Sequence, residues 1–68
     1  MYSREIERLL NAQQILEGDE VEVLSEGRSR RGVLLPRISE VQDDTLTLKL
    51  PNGYNIGIKY SPGMQIKK

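Results

Sequence analysis

The sequence predicts a mainly β fold: a small closed barrel of about five strands preceded by one short N-terminal α-helix. Three observations carry that prediction. From Asp19 onward apolar residues recur with the period of two that marks half-buried strands. Turn chemistry at Ser25–Ser29, Pro51-Asn52-Gly53 and Ser61-Pro62-Gly63 cuts this region into short segments. Before it lies a single stretch, Ser3–Leu16, that holds no Gly or Pro and shows helical spacing instead.

Ser3 is a helix cap, and Glu5 and Glu7 suit the positive end of the helix dipole. Ile6, Leu9, Leu10 and Leu16 form an apolar stripe, interrupted by Gln13, and Gly18 supplies the stop. So short a helix needs a surface to pack on. Val21 and Val23 alternate with Glu20 and Glu22 in the first strand. After the Ser25–Ser29 connection, Arg31, Val33 and Leu35 share a face of the second, and Pro36 ends it for want of a ladder donor. Arg37 to Asp44 reads as a polar loop anchored by Ile38 and Val41. The clearest hairpin follows. Leu46, Leu48 and Leu50 alternate with Thr45, Thr47 and Lys49, Pro51-Asn52-Gly53 turns the chain, and Tyr54, Ile56 and Ile58 resume the alternation. Met64 and Ile66 mark a last strand. The predicted core is Val21, Val23, Val33, Leu35, Leu46, Leu48, Leu50, Ile56, Ile58 and Ile66. Closure into a barrel would remove exposed strand edges.

In domain terms, residues 1–17 read as helix and lead-in and 18–68 as the barrel, one domain and a fragment of a longer chain. With 68 residues and no Cys, neither disulfide nor thiolate metal site staples the fold. No apolar run approaches a membrane span and no leader is apparent, so a cytoplasmic location is the default expectation.

Little in the chain points to catalysis. There is no His and no Cys, the commonest general base and the most reactive nucleophile. Asp43-Asp44 are adjacent carboxylates, but they sit where Asp bonds loop backbone. Glu17, Asp19, Glu20 and Glu22 lack the spacing of a metal site, and the scattered glycines write no phosphate loop. The expectation is a fragment with no catalytic residue, cofactor or metal. Arg28, Arg30, Arg31 and Arg37 gather positive charge around one hairpin. They are the candidate partner or RNA contact, or else they neutralise Glu20, Glu22 and Glu26. A net charge of zero argues against a generic nucleic-acid coat. Small SH3-like barrels also bind peptides or methyl-lysine, but through aromatic grooves and cages. Tyr2, Tyr54 and Tyr60 are the aromatics here, and there is no Trp or Phe. Gly57, within a strand, points to a bulge or a close backbone approach. Asn55 is read as bonding the turn backbone.

The segment Asn52-Gly53-Tyr54-Asn55-Ile56-Gly57-Ile58 is worded more specifically than turn formation requires. With Gly18-Asp19-x-Val21-x-Val23, Gly32-Val33-Leu34-Leu35-Pro36-Arg37 and Asp44-Thr45-Leu46-x-Leu48-Lys49-Leu50, it resembles the N-terminal domain of the D subunit of archaeal glutamyl-tRNA(Gln) amidotransferase. Pro51 departs from the acidic residue usual before the Asn-Gly, and Arg30-Arg31 from an aromatic-acidic pair. The resemblance implies an SH3-like barrel detached from a protein with an asparaginase-like body. That body would hydrolyse glutamine through a Thr nucleophile lying beyond Lys68. The ammonia would pass to the E subunit, which uses ATP and Mg2+ in converting Glu-tRNA(Gln) to Gln-tRNA(Gln).

Two functions follow as expectations. One is a non-catalytic accessory and assembly barrel whose partners are the asparaginase-like body and the amidotransferase E subunit, with an indirect tRNA association and no membrane. Ile6, Leu9, Leu10 and Met64, left exposed, would make its contacts. The other is an independent RNA-contacting module using Arg28, Arg30, Arg31 and Arg37.

Overall fold

Ser3 opens the helix in extended geometry (φ −61°, ψ 162°), and its hydroxyl accepts a long hydrogen bond of 3.5 Å from the Ile6 amide. The structure, a computed structural model, describes residues 2–36 and 44–68. The predicted loop anchors Ile38 and Val41 lie outside the described residues. Helix α1 spans Arg4–Ala12 and buries Ile6 and Leu10. It ends well before Leu16. Gln14 adopts a left-handed φ of 56°, the Gln14 amide bonds Asn11 O at 3.1 Å, and the Ile15 amide reaches back to Leu10 O at 2.9 Å. This is a Schellman stop, with Gln in the place usually held by Gly, and Leu10 and Ile15, the positions that customarily form its apolar contact, are both buried in the core. Ile15 therefore enters the core and Leu16 faces water.

Five strands follow: β1 Glu20–Ser25, β2 Arg28–Leu34, β3 Thr45–Lys49, β4 Asn55–Lys59 and β5 Gln65–Lys67. They form one antiparallel sheet in the order β4-β3-β2-β1-β5. The mainly β class, with five strands and one preceding helix, is as the sequence predicts. Strand pairing does not close the sheet: among the described residues β4 and β5 are its two edges and are not bonded to each other.

The β1–β2 connection decides the register. Glu26 (φ 54°) and Gly27 (φ 77°) are both left-handed, the signature of a two-residue type I′ turn, so Ser25 pairs with Arg28. Val21 then lies opposite Gly32 and Val23 opposite Arg30. The core face of β2 is accordingly Arg30, Gly32 and Leu34. This corrects the prediction that Val33 and Leu35 are core: the buried residue is Leu34, and its two neighbours are only half-buried. A one-residue slip exchanges the faces of a strand, and here the turn sets the slip.

The remaining core predictions hold for Val21, Val23, Leu46, Leu48, Ile58 and Ile66, while Ile56 packs against the core from its margin and Leu50 is half-buried. The Pro51-Asn52-Gly53 turn forms as predicted. Gly53 donates to Leu50 O at 2.9 Å with φ 92°, and the Tyr54 amide donates to Asn52 Oδ1 at 3.1 Å. Gly57 makes no bulge, since the β3–β4 ladder runs unbroken through the Thr47–Gly57 pair. The close approach lies elsewhere in the sheet. A Cβ on Gly32 would stand 2.7 Å from the Lys49 carbonyl oxygen and 3.2 Å from Leu48 Cβ.

The helix and the chain's beginning complete this core. Tyr2, Ile6, Leu10, Ile15 and Met64 join it, and Tyr2 Oη donates to Leu35 O at 2.8 Å. Ile6, Leu10 and Met64 are thus consumed by the domain itself and Leu9 packs on its margin, which corrects the expectation that they stay exposed for a partner. The physical reason is that the isolated sheet would otherwise leave its concave face open to water.

Candidate functional site

The four arginines predicted to act together are divided by the fold. Arg28 and Arg30 lie on the core-side face of β2, at the end of the hairpin beyond the packed core. There they line a cleft of about 430 Å³ with Val23, Ser25 and Glu26. The far wall is β4, through Gly57, Ile58 and Lys59. Arg31 belongs to the opposite face, in cross-strand register with Glu22, whose own other neighbour is Lys67. Arg37 lies outside the described residues. The cleft thus groups two predicted arginines with Lys59, a cation that local sequence pattern does not single out. Only the curl of the sheet, invisible to local periodicity, brings β4 to the hairpin. A contact of 3.2 Å between Ser25 Oγ and Ser61 Oγ links the hairpin to the chain just after β4.

Among the described residues Arg28, Arg30 and Lys59 make no ion pair; the ion pair that forms is Lys68 Nζ to Asp19 Oδ2, at 3.3 Å. Asp19 belongs to a turn with Gly18 at φ 96°, in which the Leu16 amide donates to Asp19 Oδ2 (2.8 Å) and the Asp19 amide returns to Leu16 O (3.0 Å). The Leu16 hydrogen bond, reinforced by Lys68 against a smaller opposing effect of desolvation, holds the Asp19 carboxyl below its ordinary value of 3.8. On the outer face Ser29 Oγ donates to Glu22 Oε2 at 2.5 Å, so Glu22 is occupied by its own hairpin.

The predicted aromatics are divided as well: Tyr2 is buried, Tyr60 half-buried and Tyr54 72% exposed. With Leu16, 71% exposed, Tyr54 is a large apolar side chain left in water. Among the described residues no group of three or more His, Cys, Asp or Glu side chains could hold a metal ion. No described helix is long and apolar enough to cross a membrane. Asp43 lies outside the described residues; the Asp44 carboxylate accepts from Thr45 Oγ1 at 3.4 Å, and its main-chain carbonyl accepts from the Tyr60 amide at 2.8 Å.

A family profile described as the GatD N-terminal domain matches residues 15–68, from the helix stop through the last strand. The chain belongs to the GatD N-terminal domain family. Its resemblance in wording from Gly18 to Ile58 is therefore a family likeness. Three relatives are each named as the D subunit of glutamyl-tRNA(Gln) amidotransferase. That of Sulfurisphaera tokodaii is 46% identical over 44 residues, covering 65% of this chain and 10% of the relative. That of Sulfolobus acidocaldarius is 42% identical over 50 residues, covering 74% and 11%. That of Thermofilum pendens is 40% identical over 58 residues, covering 84% and 13%. The chain spans about a tenth of the length of the relatives it matches. The family match of this GatD N-terminal domain takes in all five strands.

Proposed function

We propose that this domain is a non-catalytic accessory and assembly module of the glutamine-hydrolysing subunit of an archaeal glutamyl-tRNA(Gln) amidotransferase, the complex that converts Glu-tRNA(Gln) to Gln-tRNA(Gln). The observation that carries the reading is the family match over residues 15–68, a stretch that amounts to about a tenth of the D-subunit relatives. A sequence without His or Cys supports the assignment of catalysis to another part of the protein, here its asparaginase-like body. ATP and Mg2+ would be used by the other component of the complex, in the cytoplasm. The module's own partners are the asparaginase-like body and the E subunit. Leu16 and Tyr54 support a docking role, because exposed apolar side chains stabilise a complex when they are covered.

The alternative is an SH3-like module that contacts RNA through Arg28, Arg30, Arg31 and Arg37. It draws less support, since Arg31 stands on the other face of β2 from Arg28 and Arg30 and pairs across the sheet with Glu22. Pull-down of the asparaginase-like body and of the E subunit by this chain, with a tRNA gel shift in parallel, tests both readings. Capture of either protein, with glutaminase and asparaginase assays of the chain itself blank, is the expected result. A shift that weakens with salt, in the absence of either capture, would replace assembly by RNA binding.

A further inference from the structure

The cleft between the β1–β2 hairpin and β4 has the charge and shape of a binding site. Arg28 and Arg30 line it from the core-side face of β2, with Lys59 on the β4 wall, and none of the three makes an ion pair among the described residues; the lining carboxylate is Glu26. Its apolar lining is Val23 and Ile58, both anchored in the core. Two neighbouring guanidinium groups on one strand face repel one another, and an oxyanion placed between them converts that repulsion into charge-assisted hydrogen bonds.

We propose that this cleft receives the carboxylate of a single Asp or Glu side chain in an extended segment of a protein partner. Two observations favour a protein carboxylate over an RNA backbone. Among the described residues, Arg28 and Arg30 share a cleft of about 430 Å³ while Arg31 stands on the other face of β2, so the arginines do not run on as a stripe. Glu26 lines the cleft itself, so a polyanion running through it would meet a carboxylate there. A single acidic side chain avoids it. Its aliphatic stem rests on Val23 and Ile58 while its carboxylate takes the guanidinium forks. The inference rests on the assembly reading, whose docking surface it specifies.

The test is titration of the 68-residue chain with an extended valine–serine heptapeptide carrying one central glutamate, followed by NMR shifts. Its glutamine isostere and an oligouridylate are the comparison probes. Shifts centred on Val23, Gly57 and Ile58 are expected from the acidic peptide alone. Arg28→Gln with Arg30→Gln should weaken its binding by about tenfold, while Arg31→Gln leaves it unchanged. The shift map of the unaltered chain is informative even if a variant fails to fold. No shift at millimolar peptide, equal binding of the isostere, or equal weakening by Arg31→Gln would overturn the proposal. Tighter binding of oligouridylate at the same residues would give the cleft to RNA instead. A chain that captures the asparaginase-like body or the E subunit yet ignores the peptide overturns the cleft alone and leaves the assembly reading standing.

Discussion

Gly32→Ala isolates one steric contact in the sheet. The new Cβ would lie 2.7 Å from the Lys49 carbonyl oxygen, with Leu48 Cβ at 3.2 Å and Lys49 C at 3.3 Å. The offending oxygen is backbone, so no rotamer change relieves it, and β3 or β2 must move. Movement strains the Val33–Lys49 and Leu34–Leu48 pairs and the 3.0 Å bond from the Leu35 amide to Thr47 O, the connections that join the two halves of the sheet. Overpacking of this kind costs about 1–3 kcal/mol. The loss of chain entropy in the unfolded state returns ~0.4–1 kcal/mol of that. A clash with backbone takes the upper part of that range, about 2–3 kcal/mol, so the net is a destabilisation of about 1–2.6 kcal/mol. In a domain this small it lowers Tm by roughly 4–20 °C, read by thermal circular dichroism. Gly57→Ala is the internal control: its Cβ would meet the movable Thr45 Cγ2 at 3.2 Å, and Tm should stay within about 4 °C of the parent. Equal melting of parent and Gly32→Ala, or a larger loss at Gly57, would refute the reasoning.

Leu48, fully buried, should cost about 2–5 kcal/mol on replacement by Ala, enough to unfold much of the population, and urea titration checks it. The Asp19 carboxyl is held below its ordinary value of 3.8 in the folded chain, so its stabilisation is complete above that pH and is lost as pH falls through the lower folded value. Acid unfolding of Asp19→Asn should therefore lie close to the parent at the lowest pH and diverge above 3.8. Tyr54→Ser, at a 72% exposed position, should change stability by no more than ~0.5 kcal/mol while weakening capture of the partner proteins in pull-downs.

The parts of the fold legible in the sequence were those governed by local chemistry. The Thr45–Ile58 hairpin declares itself because Leu46, Leu48 and Ile58 alternate cleanly and Pro51-Asn52-Gly53 leaves one good way to turn. The misreadings share a different cause. In β2, Val33 and Leu35 looked like core because they are the apolar residues in phase with Arg31. A tight Glu26-Gly27 turn fixes the opposite phase and places Arg30 and Gly32 on the inner face. At the helix end, a Gln in left-handed geometry did what Gly18 was expected to do. The site was half legible. Clustered arginines announced positive charge, but strand parity separates Arg31 from Arg28 and Arg30, and Lys59 joins them through the curl of the sheet.

The central claim is that this domain contributes assembly, and it is tested most directly by deletion and add-back. An archaeal amidotransferase D subunit lacking its N-terminal domain is mixed with the E subunit, with and without this chain in trans, and followed by sedimentation velocity. The account predicts weakened association of the truncated protein with the E subunit, and recovery when the chain is supplied and co-sediments. Full-strength association without the domain, with the chain remaining at the position of free protein, would contradict it.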